Sequence, residues 1–205
     1  MARIDDYVNA KKIAVQDLAK ISFNEIINRT LFEKQGENSI IVPFLNRTYI
    51  VNYPSFDFID AVSQDLQVPI QEQVIILHYM LSDRNITLRG KKIAYREIPG
   101  AATYHGVFLK RAAEPLKKVF GKNIENLKKG SEILKGIKTT AGDVGFEFYI
   151  FPKIPLELIL WEGDDEFPAE ANILFDESIG HILSPEDVAW LSGMLVYRLI
   201  SIISK

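Results

Sequence analysis

Phe146-Glu147-Phe148-Tyr149-Ile150-Phe151 and Ile154-Pro155-Leu156-Glu157-Leu158-Ile159-Leu160-Trp161 are the two stretches on which the fold turns. Period-two alternation puts Ile154, Leu156, Leu158 and Leu160 on one face of the second stretch, and Glu157, Ile159 and Trp161 on the other. Both faces are largely apolar, which predicts a central strand.

Downstream, Ser184 is placed as an N-cap and Pro185 as the first residue of a helix, with Glu186 and Asp187 at its positive dipole end. Val188, Leu191, Leu195, Leu199 and Ile202 form its apolar stripe. Upstream, residues 4–20 carry apolar residues at helical spacing. Ser22 then stands three before Glu25, a capping-box spacing that predicts a new helix from Phe23. The rival reading is one helix continuing to Thr30. Ser39–Phe44 and Arg47–Asn52 read as a hairpin about Leu45-Asn46, with Asn46 suited to the left-handed conformation and Pro43 confined to an edge or a strand end. Residues 71–81 read as a buried helix, 92–98 as a strand, 107–120 as a helix closed by Gly121, and 124–137 as a Lys-rich amphipathic helix.

These elements are mixed, not regularly alternating. The predicted class is α+β: a mixed or antiparallel sheet packed against helices, with a helical N-terminus and a buried C-terminal helix, in one domain over residues 1–205.

Composition narrows the chemistry. The 205 residues are 47% hydrophobic and 25% charged, an ordinary globular balance. A net charge of −3 argues against nucleic acid as a partner, although Lys117, Lys118, Lys122, Lys128, Lys129, Lys135 and Lys138 form a basic run. There is no cysteine, so the chain has no thiolate or disulfide chemistry and ligates no iron–sulfur cluster of its own. No apolar stretch has the length of a membrane span, and the polar N-terminus lacks the apolar core of a signal peptide. The expected compartment is the cytoplasm.

The densest polar cluster is Glu162-Gly163-Asp164-Asp165-Glu166-Phe167-Pro168, with Asp176 further on. Carboxylates grouped in this way serve hard cations or acid–base pairs, but the alternating pattern of a calcium loop is missing. The alternative is a solvated acidic turn. Phe167 is then either its anchor in the core or an exposed ring open to a ligand. His78, His105 and His181 have no zinc spacing, and no metal site is assigned. His105 lies in the small-residue loop 101–106, where main-chain N–H groups could meet an anion. Arg96 and Glu97, as strand neighbours, are expected on opposite faces. Arg198 is expected to pair with the acidic turn or with Asp176.

Residues Tyr95-Arg96-Glu97-Ile98-Pro99-Gly100, Tyr104 and Phe108, with Pro155 to Trp161, Gly163 to Pro168, Leu174-Phe175-Asp176 and Pro185-Glu186-Asp187, resemble an uncharacterised bacterial and archaeal family, a domain of unknown function. Some of its members carry an N-terminal four-cysteine iron–sulfur domain, and some are encoded near corrinoid-dependent methyl-transfer systems of anaerobes. The resemblance implies a cytoplasmic accessory protein and no particular reaction or cofactor. The candidate ligand-binding residues are Arg96, Glu97, Tyr104, His105, Asp164, Asp165, Glu166, Phe167 and Asp176. Three functions follow as expectations: a binding module for a small anionic or corrinoid-type ligand or a protein partner; an enzyme using Asp164, Glu166 and Asp176 with Arg96 on an anionic substrate; or a purely structural or interaction domain.

Overall fold

The computed structural model describes residues 4–83 and 85–204. Its backbone contacts divide the chain into two compact units, Met1–Ile86 and Thr87–Lys205.

In the first unit α1 (Ile4–Leu18) is followed by α2 (Phe23–Thr30). The break falls where the capping signal puts it: the Ser22 hydroxyl accepts from the Glu25 amide at 3.3 Å. Strands β1 (Glu33–Gln35), β2 (Ser39–Phe44), β3 (Arg47–Asn52) and β4 (Asp57–Asp60) form an antiparallel meander in sequence order. The hairpin is as read, but its left-handed residue is Leu45, φ 55°, and not Asn46. Pro43 pairs only with Thr48 of β3, because β1 stops short of it, so its missing N–H costs no ladder bond. Helix α3 (Ile70–Met80) packs against α1. Inside, the Tyr49 hydroxyl donates to Glu72, and burial followed by that carboxylate pushes the phenol upward.

The second unit holds a five-stranded antiparallel sheet. Its strands are β5 (Lys92–Ala94), β6 (Ile137–Thr139), β7 (Val144–Phe151), β8 (Ile154–Trp161) and β9 (Glu170–Asp176), in the order β5-β9-β8-β7-β6. The strand 154–161 is central, as its two apolar faces require, and only Trp161 in it is exposed. Ile93, Phe148, Leu156, Leu158 and Phe175 share the face beneath the helices. Those helices are α4 (His105–Phe108), α5 (Glu114–Phe120), α6 (Ile124–Ile133), α7 (Ile179–Ile182) and α8 (Pro185–Ile203).

Three predicted elements change here. The strand expected over 92–98 ends at Ala94, because the Glu97 carboxylate accepts from the Ala94 amide at 2.7 Å and winds Tyr95–Glu97 into a 3-10 turn. Arg96 and Glu97 therefore do not point to opposite sheet faces. The helix over 107–120 starts earlier, at His105, and contains a π-helical turn, Leu109–Ala113, between α4 and α5. The helix over 124–137 stops at Ile133. Lys135 is left-handed (φ 57°) and a side chain on Gly136 would come within 2.7 Å of the Phe148 ring, so the chain turns into β6 instead. The C-terminal helix has the expected cap: the Ser184 hydroxyl accepts from the Asp187 amide at 3.1 Å.

Candidate functional site

The 3-10 turn after β5 puts Tyr95 inside the protein, 2% exposed, where its ring stacks on Phe108 at 4.2 Å and 5° and meets Phe175 edge-on at 6.4 Å. The Tyr95 hydroxyl donates to the Pro185 carbonyl at 2.7 Å. Burial, then Tyr104 and Glu186, push this phenol up to about 12, with Arg111 opposing. Next to it the Tyr104 hydroxyl donates to Glu186 at 3.1 Å. At the solvent edge Arg96 Nε donates to His105 Nε2 at 2.8 Å. Desolvation, and then the Arg96 charge, lower the His105 pKa, so the imidazole is neutral at pH 7. Three chain segments far apart in sequence, 95–108, 174–176 and 184–187, thus close on one aromatic cluster, with an arginine and a neutral histidine at its rim.

The acidic turn lies elsewhere. Gly163 N–H donates to the Gly121 carbonyl at 2.9 Å, and a side chain on Gly121 would come within 2.5 Å of the Ala169 Cβ. These close approaches clamp the turn to the end of α5. One Asp164 oxygen accepts from the Glu166 and Phe167 amides at 2.8 and 2.7 Å, and those two bonds hold its carboxyl below the usual range. Asp165 and Glu166 are exposed, and the Phe167 ring is 68% exposed, so it does not anchor the turn in the core.

Asp176 ends the seven-residue β9, whereas Asp164 and Glu166 precede its start. That strand holds them apart by roughly 20 Å at about 3.3 Å per residue. Asp176 is 6% exposed and accepts from the amides of Arg89 (3.0 Å), Gly90 (2.7 Å) and Ser178 (2.9 Å). Burial opposes its ionisation, and the bonds from Ser178, Arg89 and Gly90 overcome that and lower its pKa. Its carboxylate is thus held by main-chain amides, not by the expected Arg198.

Sequence reading missed a second polar group. Glu147 and Glu157 stand directly opposite each other on β7 and β8, and Lys92 Nζ reaches both, at 3.2 and 2.7 Å. With Leu174, Asp176 and Tyr149 they line a pocket of about 100 Å³. Burial lowers the lysine's pKa, but its bonds to Glu157 and Glu147 outweigh that and raise it. The signal was present in the sequence. Each glutamate is the only charge in its apolar strand, and a lone charge there needs a partner.

An antiparallel sheet with helices over one face, built around the Tyr95–Phe108–Phe175 cluster, defines an α+β protein of the kind expected. The family model of the domain of unknown function DUF3786 matches residues 22–198, and the chain belongs to that family. No curated protein and no solved structure matches it. Among the described residues no helix is long and apolar enough to cross a membrane.

Proposed function

We propose that the protein is a binding module that takes a small anionic ligand at the rim of the Tyr95 cluster, with Arg96 as the contacting cation and the neutral His105 as its support. The observation that carries this reading is the convergence of 95–108, 174–176 and 184–187 on one place, with the aromatic rings and Glu186 already engaged and the Arg96 guanidinium exposed. An exposed guanidinium whose orientation is fixed by a hydrogen bond suits planar oxyanions. The family resemblance suggests the ligand class, a corrinoid-type molecule or a protein partner of one-carbon metabolism in an anaerobe's cytoplasm.

Isothermal titration of the full chain with cobamides, and with corrinoid-dependent partner proteins, tests the reading. The expected result is saturable heat that Arg96→Ala abolishes. No heat with any of them removes the corrinoid version.

A further inference from the structure

Glu147 and Glu157 project from the face of the second unit's sheet that strand alternation turns away from Phe148, Leu156 and Phe175. They stand directly opposite each other, where like charges repel. A single ammonium, Lys92 Nζ, lies between them, 3.2 Å from Glu147 Oε1 and 2.7 Å from Glu157 Oε2. Among the described residues the second oxygen of each, Glu147 Oε2 and Glu157 Oε1, accepts no hydrogen bond. Glu157 is only 4% exposed, yet its free oxygen is not sealed from solvent, and both glutamates line the pocket of about 100 Å³. Asp176 adds a third carboxylate to that lining, with its oxygens already taken by the amides of Arg89, Gly90 and Ser178. The lining therefore keeps an excess of negative charge after Lys92 is counted, and two carboxylate oxygens open to a donor.

The chemistry of the missing donor is shown by Lys92 itself: these carboxylates already hold one ammonium. A divalent metal is a poorer match, because among the described residues no group of three acids or histidines could surround one. A bare hydrated cation is also disfavoured, since Leu88, Tyr149 and Leu174 give the pocket apolar walls that offer its water shell no partner. A primary ammonium on a short alkyl stem suits both parts. Its N–H groups donate to the two free oxygens in charge-assisted bonds, and its stem lies on the walls. A water fills about 30 Å³ of liquid, so the pocket takes a ligand of about three or four non-hydrogen atoms.

We infer that the pocket between β5, β9, β8 and β7 is a second binding site, for a short primary alkylammonium ion held by Glu147 and Glu157 beside Lys92. It shares no residue with the Arg96 rim, so either can fail without the other. The test is amide-resolved ¹H–¹⁵N NMR of the full chain, titrated with ethylammonium chloride at constant ionic strength. The amides of Gly90, Glu147 and Glu157 should shift saturably. Sodium, and tetramethylammonium, which has the charge but no N–H to donate, should not move them. Glu147→Gln keeps the side-chain shape and removes one charge; it should weaken binding at least about tenfold, the loss expected for a charge-assisted bond. Glu125→Gln removes a charge from exposed α6, outside the pocket, and should leave the affinity as it is. Nα-acetyl-lysine amide, whose ammonium stands for that of a partner protein's lysine, should bind more weakly than ethylammonium. Tighter binding of the lysine derivative would replace the free amine with a protein side chain and overturn the assignment. No saturable shift, an equal response to tetramethylammonium, or an unchanged affinity in Glu147→Gln also overturns it. If that variant's spectrum shows it unfolded, the comparison of ethylammonium with tetramethylammonium in the parent decides.

Discussion

Asp176 and Phe167 both belong to the conspicuous acidic stretch, and their surroundings give them opposite roles. Asp176 is buried and receives three main-chain amides. Its folded pKa is below the ordinary ~3.9, so its contribution is complete above that value and is lost as the pH falls through the folded one. Asp176→Asn turns one acceptor oxygen into a donor facing those amides. It should destabilise by about 1–3 kcal/mol at pH 7, and urea unfolding should show the difference shrinking as the pH is taken below about 4. An unchanged gap at low pH would mean that charge is not its source. Phe167 is exposed, so Phe167→Ala should change stability by less than about 0.5 kcal/mol in the same assay. His105 adds a spectroscopic check. Its pKa is depressed by desolvation and then by Arg96, so imidazole NMR should titrate below ~6.5, and Arg96→Ala should move the midpoint upward without restoring it fully.

At the scale of elements, capping signals decided two helix starts, and contacts that leave no trace in the periodicity decided several ends. Ser22 caps α2 from the sequence alone, and Ser22→Ala should lower stability by about 1 kcal/mol in chemical denaturation. Strand β5 ends early because a carboxylate three residues on competes for its backbone, and α6 ends early because Gly136 must pass the Phe148 ring. No periodicity in 92–98 or 124–137 records either event. The Lys92–Glu147–Glu157 group ties three strands across β9, which lies between β5 and β8. Lys92→Met leaves Glu157 buried without its cation and should destabilise by about 1–3 kcal/mol, a figure reduced because the lysine is 43% exposed. Adding Glu157→Leu should recover most of that loss in a double-mutant cycle. No recovery would show that an unpaired Glu157 is not the source of the loss.

At the scale of the whole molecule, the chain forms two compact units, and the family match from 22 to 198 runs through both. The candidate site lies wholly within the second. A ligand that binds only the folded chain stabilises it by mass action, about 2.7 kcal/mol at one hundred times its Kd. Thermal unfolding with a saturating ligand should therefore shift upward in the parent and stay in place in Arg96→Ala. An equal shift in both would put the ligand elsewhere.

The sequence by itself determined the α+β class, the central strand 154–161, the caps at Ser22 and Ser184 and the family, because period, capping chemistry and motif spacing are properties of neighbouring residues. It also pointed to Arg96, Tyr104 and His105, but not to the bonds that group them. Tertiary structure alone decided that the acidic stretch is split between two ends of β9, that Phe167 faces solvent, that Lys92 joins two glutamates and that Arg111 stacks on Trp190. The last two depend on strand register and on a helix packing, which bring together residues far apart in sequence, and no local pattern encodes such a meeting; the first two depend on where β9 begins and on which side of the turn meets the core.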